Sequence, residues 1–195
     1  MKLIPTGIEN FKELIDKDYY YVDKTNLIVN IINEKVVLYT RPRRFGKTLN
    51  MSMLYYFFSI KEKKNSYLFN HLNISKNIDA LKHQNKYPTI FISLKDMKVP
   101  SMENQLLNFS SIIARLLDQF EDILDYDIFN DREKTLLNKY HMGIASKNEL
   151  AESLLNISIC LEKYYHQKVI SLLMNMMFLY NQPIKIIIMT KWSIF

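Results

Sequence analysis

The residues best suited to chemistry form one string, Tyr39-Thr40-Arg41-Pro42-Arg43-Arg44-Phe45-Gly46-Lys47-Thr48-Leu49. It joins a β-branched run, 35–40, to an apolar-periodic block, 47–59, whose spacing predicts a helix. A loop at a strand-to-helix junction is suited to an anion, because backbone N–H groups point at it and the helix dipole favours negative charge. The amides of residues 44–48 would cradle a phosphate, and Gly46 would let the backbone approach closely. Lys47 would reach the terminal phosphates, and the Thr48 hydroxyl would ligate Mg²⁺. Arg41, Arg43 and Arg44 would add positive field around the site. Only Arg115 and Arg132 lie elsewhere, so the arginines are concentrated here. The string departs from GxxxxGK[ST] at one place, with Arg41 where the first Gly would stand. Two other readings stand beside this one. The segment could be a solvated basic turn, or Arg41, Arg43, Arg44 and Lys47 could hold nucleic-acid phosphates with no nucleotide involved.

The elements that must position this loop are legible on both sides of it. A short helix is expected over 8–16, with Phe11, Leu14 and Ile15 on one face. Tyr19–Val22 is extended and aromatic, and its tyrosines read as packing rather than as a base-stacking platform. Asp23 would cap a helix over Lys24–Asn33. The run 35–40 is expected as a buried strand, and Lys47–Ser59 as a helix with Leu49, Met53, Tyr56 and Phe57 on one face. Met51 and Met53 read as core. A second strand is expected over 87–94, with Pro88 at its start where a missing N–H is tolerated. Helices follow over 103–121, 131–140 and 146–164, and a third strand begins at Lys168-Val169-Ile170. Strands alternating with helices predict an α/β fold with a largely parallel sheet flanked by helices. Asp96, just past the second strand, lies where strand carboxyl ends form sites, although a solvent-facing carboxylate explains it as well.

Composition narrows the function classes. The chain has 195 residues, which suits one domain. A single cysteine, Cys160, excludes an internal disulfide framework and a Cys-based zinc site, and the four histidines lack ligand spacing. The net charge of +6 permits a polyanion partner without requiring one. The first residues lack the apolar core of a signal peptide, and the apolar stretch from Val169 to Tyr180 is too short to span a bilayer. A cytoplasmic location with no membrane partner is therefore expected. No nucleophile sits in an elbow-like context.

Three strings carry a family resemblance: Tyr20-Tyr21-Val22-Asp23-Lys24-Thr25, then Arg41-Pro42-Arg43-Arg44-Phe45-Gly46-Lys47-Thr48-Leu49, then Met51-Ser52-Met53-Leu54. Together they resemble the bacterial and archaeal AAA-ATPase-like domain family, whose members often carry a PD-(D/E)XK nuclease-like domain. The segment from Pro88 to Asp96 is similar to that family's second strand motif. The resemblance covers roughly 1–170. It implies a P-loop NTPase fold that binds ATP with Mg²⁺, through Arg41, Arg43, Arg44, Phe45, Gly46, Lys47, Thr48 and Leu49. It also makes Arg41 the family's own variant of the first Gly. Lys24 and Thr25 match the family string and could contact the nucleotide from the N-terminal side. Nucleic acid becomes a possible partner of a full-length relative.

One part of the machinery is missing. A P-loop ATPase needs an acid that holds Mg²⁺ through water, usually followed by a Glu that activates the attacking water. These should end the strand that starts at Lys168, yet residues 171–195 contain no Asp or Glu. The codons suggest where they went. Leu173-Met174-Asn175-Met176-Met177-Phe178, read one nucleotide earlier, gives Asp-Glu-Tyr-Asp-Val if the Leu173 codon ends in G and that of Asn175 in T. The second Asp, the Glu and the Val follow whichever codons were used. The family's acidic strand motif looks like Asp-Glu-Tyr-Asp-Val-Pro. Residues 1–170 are therefore expected to be the N-terminal part of an AAA-like domain, and 171–195 an out-of-frame tail. Such a chain would lack its Walker B acids and be hydrolysis-deficient. The competing reading is a divergent apolar terminus.

Overall fold

The computed structural model describes residues 2–39, 45–97, 101–124, 127–174 and 186–189, with only the backbone at Asp96 and 186–189. Helices pack on both faces of one four-stranded sheet, so the α/β class stands. Before the loop come α1 (Phe11–Asp16), α2 (Asn26–Ile32) and β1 (Val36–Tyr39). After it come α3 (Lys47–Phe58), 3-10 segments over Ile60–Phe69 and Asn73–Lys76, α4 (Ile78–Leu81) and β2 (Thr89–Ser93). A 3-10 turn (Lys95–Met97) leads to α5 (Met102–Asp118), α6 (Asp131–His141), α7 (Lys147–Ala151) and α8 (Ser153–Tyr165). The strands β3 (Ile170–Met174) and β4 (Ile186–Met189) close the described chain.

Local sequence fixes several helix starts. The Asn10 side chain accepts from the Glu13 amide at the start of α1. Asn130 with Glu133, and Ser146 with Glu149, form capping boxes at α6 and α7, each satisfying two amides that a helix start leaves orphaned.

The sheet order is β1-β4-β3-β2. The strands β2 and β3 are parallel, while β4 runs antiparallel to both β3 and β1. It follows that β1, β2 and β3 all point the same way and that β4 alone is reversed. The sheet is thus mixed rather than largely parallel, and nothing in the apolar residues 186–189 foretold that direction. Leu38 and Leu173 both pair with Ile187, which sets Tyr39 and Met174 level at the carboxyl edge of the three co-directional strands. Two strand spacings, about 10 Å, separate them.

The strand β1 departs from expectation in burial. Val36 is 56% and Leu38 48% exposed, because β1 is an edge strand. The strand β3 is buried throughout. Its alternate residues serve two cores, as the period of two requires. Ile170, Leu172 and Met174 join Phe11, Ile28, Met51, Phe57 and Phe69 on one face. Val169 and Leu173 join Ile92, Leu117, Phe120, Tyr140 and Leu161 on the other. Cys160 lies in this second core, unbonded to any other sulfur, with its thiol pushed up to about 11 by burial. Met51 and Met53 are fully buried, as core residues. The helix α3 has no single apolar stripe: Met51, Ser52, Met53, Leu54, Phe57 and Phe58 bury most of its circumference, between the sheet and the α1 layer.

One residue of β3 does not suit its place. Ser171 is 2% exposed, and among the described residues its hydroxyl has no hydrogen-bond partner. An unsatisfied buried hydroxyl costs about 1–3 kcal/mol. Ser171→Ala removes it at almost constant volume and is expected to stabilise the chain by about 1 kcal/mol. A urea midpoint that falls instead would show the hydroxyl to be bonded.

Candidate phosphate-binding site

The described part of the loop is Phe45-Gly46, leading directly into Lys47 and Thr48 in the first turn of α3. Gly46 is the N-cap residue, with φ +70° and ψ +26°, in the left-handed region. An L side chain there costs about 1–2 kcal/mol of strain, which accounts for glycine at this position. Among the described residues, a Cβ placed on Gly46 would meet the Nζ of Lys24 at 3.8 Å and no other atom within 4 Å.

The base of the loop is held shut. Asn50, 1% exposed in α3, donates through Nδ2 to the Tyr39 hydroxyl at 3.0 Å. The last residue of β1 is thereby tied to the fourth residue of α3, so chain entering and leaving the loop is fixed together. The Asn50 amide donates to the Gly46 carbonyl at 2.9 Å and starts the helical ladder.

The electrostatics of this helix start are unusual for a structural helix. No side chain caps it, its first turn holds no acid, and its first residue is Lys47. A cation at a helix N-terminus opposes the macrodipole, and the first amides stay unpaired within the helix. A bound anion relieves both. Lys47 and Thr48 are half-buried, Phe45 is 58% exposed, and Leu49 packs against the first core. The expectations for Arg41, Arg43 and Arg44 fall outside the described residues.

The N-terminal segment comes to the same place. Asp23 accepts from the Thr25 amide at 2.8 Å and hydroxyl at 2.7 Å, and its other oxygen accepts from the Asn73 amide at 2.6 Å. The helix α2 begins at Asn26 with Thr25 as its N-cap residue, so Asp23 organises the turn before the helix instead of capping it. The Tyr21 ring meets Phe11 edge-on at 5.5 Å, in keeping with a packing role, while Tyr20 is 58% exposed. The backbone of Asp96 lies in the 3-10 turn directly after β2, at the same sheet edge as Tyr39.

Among the described residues, an αL glycine followed at once by a helix start with Lys47 and no first-turn acid is an arrangement that suits an anion such as phosphate. For Mg²⁺ the described residues offer the Thr48 hydroxyl, and no group of three or more His, Cys, Asp or Glu among them could hold a metal by itself. A cleft of about 440 Å³ opens elsewhere, between α6 and α8, lined by Arg132, Lys139, Glu149 and Glu152 among others. Its acids, Asp131, Glu149 and Glu152, outnumber its bases, Arg132 and Lys139, with Lys139 on Glu149 at 2.7 Å, so it does not attract an anion. No helix among the described residues is long and apolar enough to cross a membrane.

Comparison with known proteins gives two matches. A family described as "Predicted AAA-ATPase" matches residues 5–189. A stretch of 55 residues is 42% identical to an uncharacterized protein from the 5′ region of vnfD in Azotobacter chroococcum mcd 1, covering 27% of this chain. The match takes in 11% of that relative's length. No solved structure matches the chain.

Proposed function

Because this chain belongs to the Predicted AAA-ATPase family, we propose that its 40–49 loop is the phosphate-binding turn of an ATP-binding P-loop domain. The observation that carries this is the start of α3, where the described residues show an αL glycine, no capping side chain, no first-turn acid, and a lysine at the first helical position. Backbone amides around Gly46 hold the phosphates. Lys47 neutralises the outer ones, and Arg41, Arg43 and Arg44 raise the local positive potential. Bound Mg²⁺ would be held by the Thr48 hydroxyl together with phosphate oxygens, and would neutralise charge on the phosphates.

We further propose that the chain binds ATP without turning it over. Residues 171–195 hold no Asp or Glu, so this stretch supplies no carboxylate to hold Mg²⁺ through water or to act as a general base. In the reading one nucleotide earlier, the first Asp takes the place of Met174. That residue ends β3, level with Tyr39 at the edge the loop leaves from. This agreement between codons and sheet register favours a frameshift near Ile170–Ser171 over a divergent tail.

The nucleic-acid alternative uses the same cations differently. Thermal melting with Mg-ATP, and separately with DNA at matched ionic strength, separates the two. The ATP reading expects the midpoint to rise with Mg-ATP and to stay put with DNA. A rise with DNA alone would make the loop a polyanion patch.

A further inference from the structure

Among the described residues, Lys24 is the side chain that comes within 4 Å of a Cβ position on Gly46. Its neighbours in the chain are all anchored. Tyr21 accepts from the Lys24 amide at 3.3 Å and its hydroxyl lies 3.3 Å from the Met53 sulfur in α3. Asp23 holds the Asn73 amide. Thr25 is fully buried and accepts from the Ile74 amide at 3.2 Å. Lys24 itself is exposed, and among the described residues it takes part in no ion pair. Its ammonium nevertheless sits 3.8 Å from the Cβ position of Gly46, across 22 residues of sequence. A long, rotamer-rich side chain loses about 1.5–2 kcal/mol of freedom when held in one place. Here it stands near a helix start whose first turn holds no acid, and an anion bound at that start would attract it.

Building on the ATP-binding reading above, we propose that Lys24 is a second phosphate-binding lysine of this site. It is delivered by the Asp23–Thr25 clamp to the Gly46 side of the loop and contacts the polyphosphate rather than the base. Lys47 approaches from within α3 and Lys24 from the N-terminal segment, so the phosphates are gripped from two elements. Asp23 and Thr25 are then positioning residues: their bonds to Asn73 and Ile74 fix where Lys24 emerges.

Calorimetric titration of the full chain with Mg-ATP, and with inorganic tripolyphosphate, tests this. Lys24→Met keeps the aliphatic stem and removes the charge. It is expected to weaken both ligands about tenfold, the size of one charge-assisted hydrogen bond, and to leave the unliganded melting midpoint unchanged. Lys24→Arg should retain most of the affinity for both. Loss of ATP affinity with tripolyphosphate unaffected would overturn a phosphate role, and so would unchanged affinity for both. A wild-type chain that binds neither ligand would instead overturn the ATP-binding reading, and this inference with it.

Discussion

Lys47→Ala is expected to erase the stabilisation that Mg-ATP gives the wild-type chain. A ligand at a hundred times its Kd stabilises the folded state by about 2.7 kcal/mol. For a domain of this size each kcal/mol moves the melting midpoint by about 2–4 °C, so the wild type should shift by roughly 5–11 °C. A lysine on a phosphate is a charge-assisted contact inside a partly desolvated cradle, and its loss is expected to weaken binding about a hundredfold. At the same ATP concentration that leaves about 0.4 kcal/mol, a shift of roughly 1 °C. The helix does not need the charge, because a cation in the first turn works against the dipole. The unliganded variant should therefore melt close to the wild type, which separates lost binding from lost folding. A Lys47→Ala chain that keeps its full ATP shift would place the nucleotide somewhere other than the start of α3.

The larger effect is expected in turnover. The wild-type chain should show no Mg-ATP hydrolysis above the solution background. A gene carrying one extra base near codons 170–171 should encode a hydrolase. General-base assistance contributes about 10²–10⁴-fold, and the restored acids would supply both that and the outer hold on Mg²⁺. Sheet geometry makes the restoration specific. The first acid would replace Met174 at the end of β3, about 10 Å across the sheet from Tyr39 and at the same edge. Ile170, at the start of β3, lies at the shift point, and the residues before it would keep their places. The nucleotide sequence past Ile170 comes first: an open alternative frame encoding Asp-Glu-Tyr-Asp supports the frameshift, and early closure of that frame removes it. Efficient hydrolysis by the wild-type chain, lost in Lys47→Ala, would show that the missing acid is supplied from another part of the molecule.

The parts of this fold that were legible in the sequence are those fixed by local pattern. The helices α1, α2, α5, α6 and α8 and the strands β2 and β3 follow from apolar spacing and turn residues, and the loop follows from Gly46-Lys47-Thr48 between a strand and a helix. What was not legible depends on contacts between distant segments. The exposure of Val36 and Leu38 is set by their strand lying at the sheet edge, which no local pattern in 35–40 encodes. The direction of β4 depends on which strands it enters between. The burial of α3 on most sides depends on α1 and the Ile60–Phe69 segment covering what would otherwise be its outer face. At the site, Gly46 and Lys47 could be assigned from the motif. Lys24 could be singled out only by its string, because its approach to Gly46 rests on the bond between Asp23 and Asn73, fifty residues apart.

The buried Cys160 has a consequence for how this chain would be watched. Its thiol is the single sulfhydryl of the molecule, sits in the core on the side of the sheet away from α3, and is held protonated by burial. Both conditions suppress thiolate chemistry in the folded state, so an alkylating reagent or an oxidant gains access only when that core opens. The rate of modification then counts opening events at one defined depth, with no probe to be installed. A ligand bound on the opposite face of the sheet would slow that rate by the same factor by which it stabilises the whole domain, provided the two cores open as one cooperative unit.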